Sequence, residues 1–246
     1  MNFLIKLFPK VIIKKIKDYL NIPKNIYQNV HMPIKLDEYH IGDFDLLHNK
    51  FCLNDLHLNK DKNVTRFRNY ISYKFAEYAI MNNCNKENNF FLSVGISYGT
   101  TLKVITHLLD NKLQKNNIND IEYFLIDNYK DVGNANYNTD IYNVKKNLSN
   151  IKKFKFNFIE DLLNHLSFDK VKDGLIFTHL NFGNYETEIE FLPKIINKTK
   201  RNGVIILDYY GWYNHKTRER LDQIILDNKT LFKIVFPSLQ CVLIKL

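Results

Sequence analysis

Arginine is scarce in this chain: Arg66, Arg68, Arg201, Arg218 and Arg220 are the only five among its 35 basic residues. The net charge of +9 therefore rests on lysines, dispersed among asparagines and isoleucines. Base and phosphate recognition draws on clustered, fork-forming guanidinium groups. The charge reads as a solvated surface, and nucleic acid is not an expected partner. Cysteine is as sparse. Cys52, Cys84 and Cys241 show no C-x-x-C spacing and make an odd count, which argues against a disulfide framework or a zinc site and suits a reducing cytoplasm. They are expected to be small apolar fillers.

Long apolar runs are also missing where a targeting segment would carry one. Lys6, Lys10, Lys14, Lys15 and Lys17 break the first twenty residues, and Pro9 interrupts their periodicity. No signal-peptide core or membrane span is expected there. Val11, Ile12, Ile16, Tyr19 and Leu20 can share one helix face opposite the lysines. Residues 1–20 could thus touch an anionic membrane peripherally, but packing on the chain's own domain, or on a partner subunit of a homo-oligomer, is the favoured reading.

What is present suffices for one substantial core: 246 residues, 45% hydrophobic and 14% aromatic. Residues 1–64, with Pro9, Pro23 and Pro33, read as a helical and irregular cap. Residues 65–246 read as one domain. Thr65 can N-cap a helix through Phe67, Tyr70, Ile71, Phe75, Ala76 and Ile80, ending at Asn82-Asn83. A strict alternation follows. Strands are expected at 89–94, 122–126, 153–158, 175–180 and 204–207, and helices at 100–109, 137–148, 161–166, 186–198 and 217–226. Two last strands, 232–236 and 241–244, are joined by so short a link that they should form an antiparallel hairpin. This predicts a doubly wound, mainly parallel seven-stranded α/β sheet of Rossmann-like layout with one reversed strand.

Ligands of such sheets bind beyond the carboxyl ends of the strands. Gly95-Ile96-Ser97-Tyr98-Gly99 turns the first strand into a helix starting at Thr100. Glycines there let a ligand approach the backbone, and helix N–H groups can meet its polar end. The same five residues spell G-x-S-x-G, the nucleophile elbow of α/β-hydrolases. A hydrolase needs a histidine after its acid, and only His215 follows Asp208, with two further strands after it. The cofactor reading is preferred. Asp127 closes the second strand, where an acid can accept both hydroxyls of an adenosine ribose. Glu160 or Asp161, after the third strand, could meet an adenine amino group. Asn181 follows the fourth strand and Asp208 the fifth.

The stretch 178–223, THLNFGNYETEIEFLPKIINKTKRNGVIILDYYGWYNHKTRERLDQ, and the ending FPSLQCVLIKL carry a resemblance. Over roughly residues 64–246 the chain resembles the TylF/macrocin O-methyltransferase-like family of class I methyltransferases. The resemblance implies an S-adenosylmethionine site at Gly95, Ser97, Gly99, Thr100, Asp127, Glu160 and Asn181. It also implies methylation of a sugar hydroxyl on a nucleotide-linked sugar or surface-polysaccharide unit, often with Mg²⁺. Three positions depart from the pattern. Asn181 and Tyr209 stand where the family has metal-site acids, and Ser93 stands where an acid precedes the glycine turn. One carboxylate with one asparagine is a thin donor set for an octahedral cation. Should Mg²⁺ bind, Asp208 and Asn181 are its ligands.

Without a metal, removing the acceptor proton falls to Asp208 first, then to His179 or His215. Tyr209, Tyr210, Trp212 and Tyr213 form an aromatic cluster suited to a sugar face or to core packing. Arg66 and Arg68 could hold acceptor phosphates or make surface ion pairs. The three departures also leave open a relative that binds cofactor or partner without turnover.

Overall fold

Two central strands, β1 (Phe90–Val94) and β4 (Leu175–Leu180), are buried at every residue, as parallel strands covered on both faces must be. The computed structural model describes residues 62–83, 88–96, 99–116, 118–127, 141–161, 163–181, 184–236 and 239–246. The expected cap, including residues 1–20, lies outside these but for the opening turn of the first helix. Ser97 is outside them too.

The described elements run α1 (Lys62–Met81), β1, α2 (Thr100–Lys115), β2 (Ile121–Asp127), α3 (Ile141–Leu148), β3 (Phe154–Glu160) and α4 (His165–Asp169). They continue through β4, α5 (Tyr185–Lys198), β5 (Thr199–Leu207), a 3₁₀ turn (Tyr210–Trp212), α6 (His215–Asp227), β6 (Leu231–Val235) and β7 (Cys241–Lys245). The strands form one sheet in the order β3-β2-β1-β4-β5-β7-β6. The first five are parallel, and β7 runs antiparallel between β5 and β6. The expected hairpin is therefore present, with its second strand inserted beside β5.

Alternation along each strand divides the core. Phe91 meets Tyr123, Phe154 and Phe177 on one face. Leu92, Phe124, Leu180, Ile205 and Leu243 belong to the other, with Phe191, Leu192, Ile195 and Ile196 of α5. Helix α1 packs on α2, β4 and β5, and α5 packs on α6, β4 and β5. Cys241 is a buried free thiol, in keeping with the filler role. No described helix is long and apolar enough to cross a membrane.

Some boundaries differ from the sequence expectation. Helix α1 begins at Lys62, so Thr65 lies inside it rather than at its cap. Helix α4 starts at His165, because Asn164 caps it reciprocally with Ser167 at 2.9 Å in each direction. Asp161, expected to open that helix, instead accepts from the Asn164 amide at 3.1 Å. Strand β5 begins at Thr199, immediately where α5 stops.

Candidate active site

The reversal of winding falls between β1 and β4, and the chain leaves both strands at the same edge. Gly95 N donates to Ile126 O at 3.0 Å, Asn181 N to Val94 O at 2.9 Å, and Asp208 N to Leu180 O at 2.9 Å. These bonds continue the sheet by one residue and set Gly95, Asp127, Asn181 and Asp208 along one rim. Gly95 and Gly99 adopt positive φ of 76° and 74°, which an L side chain resists. Gly99 then serves as N-cap of α2 with no side-chain cap, leaving first-turn N–H groups for a ligand. A Cβ on Gly99 would also meet Val144 Cγ1 at 3.3 Å.

Asp127 shapes this turn: its Oδ2 accepts from Ile96 N at 2.6 Å. Glu160 ends β3 directly opposite Asp127 in register. Its side chain is more than half exposed, with Lys145 at 3.9 Å. Thr100 opens α2. The expected cofactor residues that are described thus share one rim. Ser93, which replaces an expected acid, is buried and shares a 2.7 Å hydrogen bond with Tyr123 OH.

Two strands along, a second group converges on Asp208, which is only 5% exposed. Arg68, from α1, donates to Asp208 Oδ2 and, at 3.1 Å, to its backbone carbonyl. Gln240, wholly buried just before β7, donates to Oδ1 at 2.6 Å. His179 Nε2 lies 3.5 Å from the same oxygen, a long contact that falls short of a well-formed hydrogen bond. Burial alone would raise the Asp208 carboxyl; the His179 ring, the Arg68 guanidinium and the Gln240 amide outweigh it and hold the group at about 2. A carboxylate so stabilised is a weak base at neutral pH.

Arg68 is therefore committed to Asp208 instead of waiting for a phosphate, with its guanidinium 5.5 Å from the Tyr209 ring centre. The side chain of Arg66 is outside the described set. His215 opens α6 on the surface and pairs with Glu219 at 3.2 Å. It is not brought to Asp208.

The aromatic cluster divides. Tyr210 is a core residue whose hydroxyl donates to Asp222 at 2.8 Å. Trp212 is 61% exposed. Tyr213 makes an edge contact with Tyr185, centroids 6.0 Å apart. Gly211 explains the glycine of the Tyr-Gly-Trp motif: its N–H bonds Leu239 O at 2.8 Å, and a Cβ would meet Leu239 Cβ at 2.4 Å.

Glu188 was not singled out by the sequence reading, yet it was legible. It lies on the same helical face as Phe191, Leu192, Ile195 and Ile196, a carboxyl on an apolar stripe. It is fully buried. Burial raises its pKa to about 8, against a lowering by the Tyr213 hydroxyl and with a further rise from the Asp208 charge. Neither Glu188 nor Tyr213 OH achieves good hydrogen-bond geometry, so their mutual contact is close but unformed. Gln240 was missed as well, although an amide heading a buried strand needs partners.

Strand order, parallel core and terminal hairpin define the class I methyltransferase fold. Solved structures share it. The O-methyltransferase NovP superposes with a TM-score of 0.60 at 14% identity, over 82% of this chain and 98% of its own. The calicheamicin methyltransferase CalS11 gives a TM-score of 0.50 at 11% identity, over 88% and 96%. No protein-family model matches the chain, and no curated protein does.

Proposed function

We propose that this chain is an S-adenosylmethionine-dependent O-methyltransferase of the TylF-like kind, acting in the cytoplasm on the hydroxyl of a sugar or sugar nucleotide. The observation that carries the reading is the buried His179–Asp208 pair standing on the same rim as the glycine turn and Asp127. Gly95, Ser97, Gly99, Thr100 and Asn181 would line the cofactor, with Glu160 at its outer end. Asp127, which closes β2 with Oδ2 on Ile96 N, would meet the ribose hydroxyls. The bound cofactor supplies a methyl group on a positively charged sulfur.

The chain's own residues must then align an acceptor oxygen with that methyl and remove its proton. His179 would take up the proton that the acceptor hydroxyl gives up on methylation. Its Nε2 faces Asp208, so Nδ1 is the nitrogen left for the acceptor. Asp208 orients the ring and stabilises the imidazolium that results, the division of labour of a carboxylate behind a histidine. Exposed Trp212, next in the chain to Tyr213, whose ring packs edge-on against Tyr185, offers an apolar wall for a sugar face. The names of the two fold neighbours, an O-methyltransferase and a calicheamicin methyltransferase, agree with methyl transfer to a small molecule.

A second reading, a binding protein without turnover, draws support from the neutralisation of Asp208 by Arg68. Calorimetry with S-adenosylmethionine and S-adenosylhomocysteine separates the possibilities, followed by a screen of sugar nucleotides for methylated product. Micromolar binding, about −8 kcal/mol, that Asp127→Ala weakens at least tenfold is the expected result. Binding without product from any acceptor favours the second reading, and no binding at all defeats both.

A further inference from the structure

The resemblance to sugar methyltransferases brings with it a divalent cation between the ends of β4 and β5, at Asn181 and Asp208. With Arg68 in place, the donor set at this rim does not fit one. Asn181 offers a neutral amide, whereas Mg²⁺ seeks anionic oxygens in near-octahedral array. Asp208 Oδ2 is already taken by Arg68 and Oδ1 by Gln240 at 2.6 Å, with His179 3.5 Å away. Tyr209 replaces the second acid, and its ring lies beside the same guanidinium. Among the described residues, no group of three Asp, Glu, His or Cys side chains is arranged to hold a metal.

We propose that Arg68 takes the place of that cation: its guanidinium, brought by α1 against the end of β5, is the fixed positive charge at Asp208, and the site works without a divalent metal. The functional meaning rests on the methyltransferase reading; the occupancy does not.

Three features support the exchange. Its side chain is 17% exposed and that of Asp208 is 7% exposed, so the ion pair is shielded from water. Arg68 is also locked to the strand from two sides, since it bonds both the Asp208 carboxylate and the Asp208 carbonyl. Gln240 ties the same turn of α1 in place through Arg68 O and Ser72 Oγ, each at 3.3 Å. Finally, the charges balance: Asn181 and Tyr209 stand where the resemblance implies acids, which leaves the single Asp208 carboxylate beside a single guanidinium. One remaining carboxylate needs one compensating charge, and a guanidinium supplies it with directed donors at any physiological pH. Arg68 is thus a positioning residue. It fixes the Asp208 carboxylate that in turn faces His179.

Mn²⁺, read by electron paramagnetic resonance, tests this on the full chain. The wild type should take up no Mn²⁺ that Asp208→Asn removes. Arg68→Ala should gain one site, lost again when Asp208→Asn is added, while Arg68→Lys keeps the site closed. A purely structural arginine would give no such gain. Uptake by the wild type that depends on Asp208 overturns the proposal, as does the absence of any gain in Arg68→Ala with an intact circular dichroism spectrum. If Arg68→Ala does not fold, the comparison of wild type with Asp208→Asn decides alone. Failure to bind S-adenosylmethionine would sink the proposed activity and leave this result standing.

Discussion

Glu188 and Asp208 are neighbouring buried carboxyl groups that the protein holds in opposite protonation states at neutral pH. Glu188 reaches in from α5 toward the Tyr213 hydroxyl, and burial lifts its pKa to about 8. Asp208 is as deeply buried, but His179, Arg68 and Gln240 surround it and bring it to about 2. Each group sharpens the contrast, because the anionic charge of Asp208 makes a second ionisation beside it costlier. Two acids with pKa values forced apart by their surroundings are a common arrangement of functional sites.

The raised Glu188 pKa predicts a pH-dependent stability with a definite sign. Between its unfolded value, about 4.3, and about 8, the unfolded chain loses this proton while the folded chain retains it. Stability therefore falls as pH rises through that window. Glu188→Gln, neutral and of similar size, should remove the penalty. We expect a gain on the order of 2–4 kcal/mol at pH 8 and almost none at pH 4. Thermal melts of both proteins at the two pH values measure it; equal gains at both would show that Glu188 is not held protonated. The Asp208 contribution runs the other way, complete above about pH 4 and lost only in strong acid, so it does not obscure this window.

His179→Gln should lower kcat by about 10²–10⁴ while leaving the S-adenosylmethionine Kd within twofold of wild type. Glutamine retains a polar group near Asp208 but cannot take up the acceptor proton. Single-turnover methylation of an identified acceptor, with calorimetry on the same sample, gives both numbers. Unchanged turnover would move the base elsewhere on the rim.

Trp212→Ala separates an acceptor wall from core packing. The side chain is 61% exposed, so its loss should change stability by no more than about 0.5 kcal/mol. If it stacks on the acceptor, KM should rise about five- to tenfold, equivalent to about 1 kcal/mol, with kcat little altered. A fall in melting temperature with unchanged KM would return Trp212 to a structural role.

The sequence by itself determined the architecture, because the patterns that encode it are local. Largely apolar runs such as Leu175–Leu180, helices between them, and a link too short for a crossover leave few topologies open. The same locality located the rim: Gly95, Asp127, Asn181 and Asp208 stand where strands end, and strand ends are legible from periodicity. At α4 a side chain overrode the pattern, since Asn164 caps the helix at His165. What tertiary structure alone decided is which partner each polar group meets. Arg68 and Asp208 are 140 residues apart, and nothing local marks that guanidinium as a partner of this carboxylate rather than of a phosphate. Glu188 is recognisable as a carboxyl on an apolar face, but only the packing of α5 against β4 and β5 gives it Tyr213 and Asp208 as neighbours and so keeps its proton. His179 and His215 look alike in sequence; one lies within a buried strand against Asp208, and the other opens an exposed helix beside Glu219. Periodicity reports on a residue's own element, whereas charge pairing and burial depend on elements brought together from distant parts of the chain.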